Sequence, residues 1–139
     1  MRLIFTCILA FFSVGIASAQ LEKTIHQTFD LGEAKTISLD LFGSYTLVPW
    51  ASDNLMTETQ IQLYGATPAI LNHLVEKNNR YNIEADTIGG NIKLVSFDKK
   101  REPVRTKTHP DGCTERVKLK VFVPEKFSVT DSTTLVRMN

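Results

Sequence analysis

The sequence predicts a mainly β or α+β domain with one short packed helix, arranged as a sandwich or a solenoid. Three observations predict it. Apolar and polar residues alternate over several short segments, the period of a half-buried strand. Only the segment near 67–78 has helical spacing instead. Turn residues, Gly43-Ser44 and Gly89-Gly90 among them, punctuate the runs.

The elements follow in order. "TIHQTFDL" (24–31) carries Ile25, Gln27 and Phe29 on one side and ends at Gly32. "TISLDLFG" (36–43) sets Ile37, Leu39 and Leu41 against Ser38 and Asp40. "YTLVPWAS" is extended as far as Pro49, which has no N–H for a ladder and so places this stretch at an edge or strand end. "NLMTETQIQLYG" (54–65) puts Leu55, Thr57, Thr59, Ile61 and Leu63 on one face. The helix follows, with Thr67 as N-cap, Pro68 at the first position and a stripe of Ile70, Leu71, Leu74 and Val75. At about three turns it needs the sheet to be stable.

Strands then return. "RYNIEA" gives Tyr81, Ile83 and Ala85 one face, and 80–87 with 91–98 reads as a hairpin around Gly89-Gly90. A polar loop, 98–112, precedes the strand 114–123, in which Val117, Leu119, Val121 and Val123 alternate with Lys118 and Lys120. This strand is expected to close the sheet, with Phe127 and Val129 as the following core anchors.

The first residues indicate export. Arg2, the apolar run Leu3–Ile16 and the Ala17-Ser18-Ala19 step have the layout of a signal peptide over 1–19, leaving 20–139 as one β-rich domain. The expected location is periplasmic, outer-envelope or extracellular, with no membrane span after cleavage. Lys+Arg 16 stands against Asp+Glu 15, so removing Arg2 brings the net charge to about zero. A neutral exported chain argues against nucleic acid as a partner. Cys7 leaves with the leader, and Cys113 alone supports no internal disulfide framework.

Chemical motifs are sparse. P-loop, dinucleotide, H-E-x-x-H and G-x-S-x-G patterns are absent. "HPDGCTE" offers His109, Asp111, Cys113 and Glu115, but one His and one Cys fit no closed zinc pattern, and Pro-Asp-Gly is ordinary turn chemistry. Cys113 is read as a structural thiol, with an intermolecular disulfide as the rival. Ser96 and Lys99 match S-x-x-K, yet lie at a strand end rather than on a helix, and the S-D-N of Ser52–Asn54 precedes them instead of following. No catalytic residue, metal site or cofactor is assigned.

Two binding candidates remain. Lys99, Lys100, Arg101 and Arg105 form a basic cluster suited to an acidic partner, although a solvated loop is the ordinary reading of such a run. Trp50, with Tyr45 and Tyr64 near it in sequence, suits a sugar-stacking surface, although aromatics more commonly serve a core or sheet edge.

"FDLGEAKTISLDLFGSYTLVPWASDNLMTETQIQL", "RYNIEA" and "VKLKVFVPEKFSV" together resemble the opening part of secreted bacterial adhesin or GIN-type head domains, over about residues 29–129. The resemblance implies a β-rich exported protein without established enzymatic activity. The chain departs from that pattern in its helix and in lacking Gly/Asn/Asp-rich repeats after the valine-proline step. The expected function is a non-enzymatic envelope or surface module that binds a protein or glycan. The alternative is a periplasmic carrier of a small ligand or lipid, with the helix covering an apolar cavity.

Overall fold

The inward-facing rows of the sequence meet as two sheets around a shared core. The computed structural model describes residues 20–139, and the leader expected over 1–19 lies outside the described residues. In chain order the elements are β1 (Leu21–Phe29), β2 (Thr36–Asp40), β3 (Tyr45–Trp50), β4 (Leu55–Tyr64), α1 (Pro68–Glu76), β5 (Ile83–Ile88), β6 (Asn91–Ser96), β7 (Thr114–Pro124), β8 (Phe127–Asp131) and β9 (Thr134–Arg137). One sheet has the order β1-β4-β7-β3, the other β5-β6-β2-β9-β8. The class is the mainly β, α+β one that the alternation predicts.

Two connections give the sandwich a solenoid-like component. The β2–β3 and β6–β7 connections each cross from the five-stranded sheet to the four-stranded one. β2 runs parallel to β6, from Thr36↔Asn91 to Asp40↔Val95, and β3 runs parallel to β7, from Tyr45↔Leu119 to Trp50↔Pro124. The two arcs therefore stack like successive rungs, while the other strand pairs are antiparallel. The first arc turns in residues 41–44 and the second takes residues 97–113. That second crossing exceeds the roughly 12–15 residues of ordinary connections.

The main core draws on both sheets. Leu55 from β4 and Leu119, Val121 and Val123 from β7 pack against Ile37, Leu39, Ile92, Leu94 and Leu135 of the facing sheet. Each occupies one side of an alternating strand, so a single register slip would turn the whole row to solvent. A second cluster lies beside it, where Leu71 and Leu74 of α1 cover Ile61 and Leu63, with Tyr81 and Val104. Burying an aliphatic side chain stabilises by about 1.5–3 kcal/mol, which is what holds so short a helix in place. Its N-terminus is closed as expected, since the Thr67 hydroxyl accepts from the Ile70 N–H at 3.3 Å. No helix among the described residues is long and apolar enough to cross a membrane.

Three expectations need correction. β7 does not close its sheet but runs inside it, between β4 and β3. Val129 is 51% exposed and anchors nothing, whereas Phe127 is buried. The buried residue beyond it is Leu135 on β9, which pairs with Ile37. Ala85, expected on the face of Tyr81 and Ile83, is exposed, because β5 is an edge strand. Two placements hold: β3, which contains Pro49, is an edge, and β5–β6 is a hairpin. Its Gly89 has φ +63, a left-handed conformation that glycine adopts without steric cost.

Candidate functional site

Trp50 stands at the end of β3, with its side chain on the outer face of the four-stranded sheet. Its register partner is Pro124, and Val48 and Met56 both lie opposite Phe122. The indole ring lies 5.6 Å from the Phe122 ring, tilted by 52°. The indole N–H donates to the Asn54 carbonyl at 2.9 Å, which fixes the ring. Trp50, Ser52, Asp53, Glu125 and Lys126 line a shallow cleft of ≈ 230 Å³. Asp53 and Lys126 meet across it at 2.9 Å. Both are exposed, so the pair is well solvated and open to exchange for other hydrogen-bonding partners.

The other two aromatics do not join this surface. Tyr45 lies opposite Leu119, on the core side of β3, and its hydroxyl donates to the Ser132 carbonyl. Tyr64 pairs with Thr114, at the opposite end of β7 from the Trp50 partner Pro124.

The basic residues are also dispersed. Lys99 donates to Asp40 at 2.5 Å, and Lys100 is exposed. Arg105 lines a separate open cleft beside Thr67 and Ile70, at the start of α1. Arg101 turns inward, and so leaves the solvated cluster that the sequence suggests. Its guanidinium lies over two rings at once, 4.7 Å from the centre of Phe42 and 5.3 Å from that of Tyr81. Both distances are within cation–π range.

The Arg101 backbone is held in an unusual conformation. Its φ is +37, a region that side chains other than glycine rarely occupy. Asp98 stabilises the turn, its Oδ1 accepting from the N–H groups of Lys100 at 3.1 Å and Arg101 at 2.9 Å. The Arg101 Nε is buried and has no hydrogen-bond partner. Burial pulls the guanidinium below the ordinary arginine range, with nearby Glu115 opposing and Arg80 reinforcing.

This guanidinium faces a cavity of ≈ 240 Å³ where the two arcs cross between the sheets. Phe42, Gly43 and Ser44 of the first arc lie on one side and Arg101 of the second on the other, over a floor that includes Thr59, Val117 and Leu119. One wall is a polar network. Arg80 holds Glu115 bidentately, and the Tyr81 hydroxyl donates to Glu115 Oε2 at 2.5 Å. Burial raises the Tyr81 hydroxyl well above the ordinary tyrosine range, and the carboxylate beside it adds to the effect. Burial alone would raise Glu115 too, but the hydrogen bonds from Arg80 and Tyr81 outweigh it and hold this carboxyl below its ordinary value.

Phe42, Arg80 and Tyr81 escape a site search by motif. Glu115 does carry a signal. It occupies an inward position of β7, ahead of Val117, Leu119, Val121 and Val123, where a charge is out of place unless it is paired.

The remaining motifs dissolve into structure. The Ser96 hydroxyl accepts from the Phe42 N–H at 2.9 Å, while Lys99 is committed to Asp40. Ser52 caps its own turn through the Asn54 N–H. Cys113 is half-buried against the second cluster, with its thiol directed to the Gly65 carbonyl at 3.4 Å. Among the described residues no three His, Cys, Asp or Glu side chains converge as metal ligands. Comparison with family models, curated proteins and solved structures finds no match for this chain.

Proposed function

We propose that the chain is an exported, non-enzymatic envelope or surface module that works by binding a protein or glycan, and that a glycan at Trp50 is the favoured partner. The observation that carries this reading is the immobilised indole in a shallow cleft rimmed by Ser52, Asp53, Glu125 and Lys126. A sugar ring presents an apolar face to an aromatic plane and hydroxyls to polar neighbours, and Trp is the largest such platform. Lys100 and Arg105 are exposed cations but lie outside this cleft, so the attraction they add to an acidic polymer is long-range and screened by salt.

Trp50 is the only tryptophan, so its fluorescence reports on the cleft directly. Titration with soluble envelope glycan fragments should shift that emission saturably. In a glycan pull-down, Trp50→Ala should weaken capture by about tenfold, the equivalent of one aromatic contact. Unchanged emission with every glycan tested would overturn the glycan assignment. Export is checked separately, by N-terminal sequencing of the processed protein, which should begin at Gln20.

The carrier alternative draws on a different observation, the cavity at Arg101. A lipid suits the chain less well, because the space beneath α1 is filled by Ile61, Leu63, Leu71, Leu74 and Tyr81.

A further inference from the structure

We infer that the Arg101 cavity is a binding site for a small carboxylate with a short apolar body. The inference is independent of the Trp50 reading and does not need it. Four features converge on it. The first is the charge balance around the cavity. Arg80 and Glu115 neutralise each other through two hydrogen bonds, and Tyr81 takes a further position on the same carboxylate. Arg101 is left over, since none of the ion pairs among the described residues includes it. One guanidinium in excess matches one negative charge.

The second is the geometry of that guanidinium. Contact with the Phe42 and Tyr81 rings restricts its position, and the Asp98 turn restricts its backbone. A planar donor fork fixed in advance suits the two oxygens of a carboxylate, and little side-chain freedom remains to be lost on binding. The third is the strain held at this residue: its Nε is sealed from the cavity without an acceptor, so contact with a ligand falls to the two terminal nitrogens of the guanidinium. An unmet buried donor costs about 1–3 kcal/mol, more when charged, and native structures keep few of them. A left-handed backbone at the same residue adds strain of the kind that collects at binding sites.

The fourth is the cavity itself. At ≈ 240 Å³ it is smaller than the roughly 300–1,000 Å³ of drug-sized sites, so the occupant is small. Val117, Leu119 and Ile83 offer it apolar contact, with Ser44 and Thr59 as hydroxyl neighbours. With Glu115 paired to Arg80, the single excess positive charge at Arg101 matches a monoanion, and a dianion such as phosphate would leave one negative charge uncompensated beside that carboxylate. The acid could be free in solution or be the C-terminal carboxylate of a polypeptide. The chemistry recognised is the same.

The test is an NMR titration that follows the Arg101 Nε–H and the backbone amides of Gly43 and Ser44. The probes are butanoate, a short apolar peptide with a free C-terminus, its C-amidated form, and inorganic phosphate. Saturable shifts with butanoate or with the free-acid peptide, but not with the amidated peptide or phosphate, are expected. A response at least tenfold tighter to the peptide than to butanoate would assign the carboxylate to a polypeptide end, and a comparable or weaker one to a free acid. Arg101→Gln should abolish the response. Should that variant not fold, Ser44→Phe provides the second control, because it fills the mouth from an exposed position and leaves Arg101 in place. The inference is overturned if no carboxylate gives a saturable shift, if phosphate matches it, or if the response survives in a folded Arg101→Gln or Ser44→Phe protein. None of these results bears on glycan binding at Trp50.

Discussion

Arg80 grips Glu115 with two parallel hydrogen bonds, Nε to Oε2 at 3.0 Å and Nη2 to Oε1 at 3.1 Å, and both side chains are largely removed from water, 8% and 18% exposed. Arg80 immediately follows the left-handed Asn79 behind α1, and Glu115 lies near the start of β7. The pair therefore ties the helical side of the molecule to an interior strand. It also holds Tyr81 in the wall that Arg101 stacks on.

Removing one partner of this pair should be more damaging than its near-surface position suggests. Glu115→Ala strands the Arg80 charge and the Tyr81 hydroxyl together. A loss of about 3 kcal/mol is expected, in the range seen when a buried pair is broken from one side. Urea unfolding with an unchanged slope would measure it. A loss below about 1 kcal/mol would show that water reaches Arg80 and that the pair is effectively exposed.

The same carboxylate sets a pH dependence. The folded pKa of Glu115 lies below its ordinary value of 4.5. A group depressed in the folded state contributes stability above its unfolded pKa and loses it as pH falls through the folded one. Tm should thus hold steady from pH 7 to about 5 and fall below about 4.5. Asp40 and Asp53 are also lowered, by hydrogen bonds from Lys99 and Lys126, but Asp40 is only half-buried and Asp53 is exposed, so both pairs are screened by solvent. Glu115→Gln should therefore flatten the acid limb of the Tm profile. An acid limb of undiminished slope in that variant would assign the pH dependence to other groups.

The corrected end of the chain gives a paired test. Leu135 is fully buried opposite Ile37, and Val129 is half exposed. Leu135→Ala should cost about 2–5 kcal/mol as a core truncation. Val129→Ser should stay within about 0.5 kcal/mol, as surface changes do. Equal costs at the two positions would contradict the arrangement of β8 and β9.

Gly65 follows β4 at φ +85, and a Cβ there would come within 2.7 Å of the His109 ring. Two effects would oppose Gly65→Ala, the left-handed backbone and the ring. His109 is exposed and can swing aside, so the backbone should dominate, at about 1–2 kcal/mol. Adding His109→Ala should recover little of this. Substantial recovery in the double-mutant cycle would instead show that the ring is locked against Gly65.

Much of the architecture was legible because burial on one face imposes a period of two. β4 is the clearest case, since Leu55, Thr57, Thr59, Ile61 and Leu63 are all buried. Pro49 correctly indicated an edge, for want of an N–H. Val129 misled because β8 is an edge strand: Val129 pairs in register with the buried Leu135, yet among the described residues no further strand lies beyond it to complete its burial. β9 went unseen because its four residues bury only Leu135, too little to establish a period. The parallel stacking of the arcs leaves no local trace, since its partners are far apart in the chain. Arg101 was hidden for a related reason. Its surroundings in sequence are those of a solvated loop, and only tertiary contact supplies Phe42 and Tyr81.

The stacked arcs also govern how fast the molecule can assemble. Thr36 must find Asn91, Tyr45 must find Leu119, and Ile37 must find Leu135 before the core is closed. Pairings this distant demand loop-closure entropy before they return any burial, and topologies dominated by them fold in milliseconds to seconds rather than microseconds. Meanwhile the apolar rows of β4 and β7 stand uncovered, with their ladders unpaired. The interval is long enough for a chaperone to engage the chain, or for a second copy to pair with it at the wrong edge.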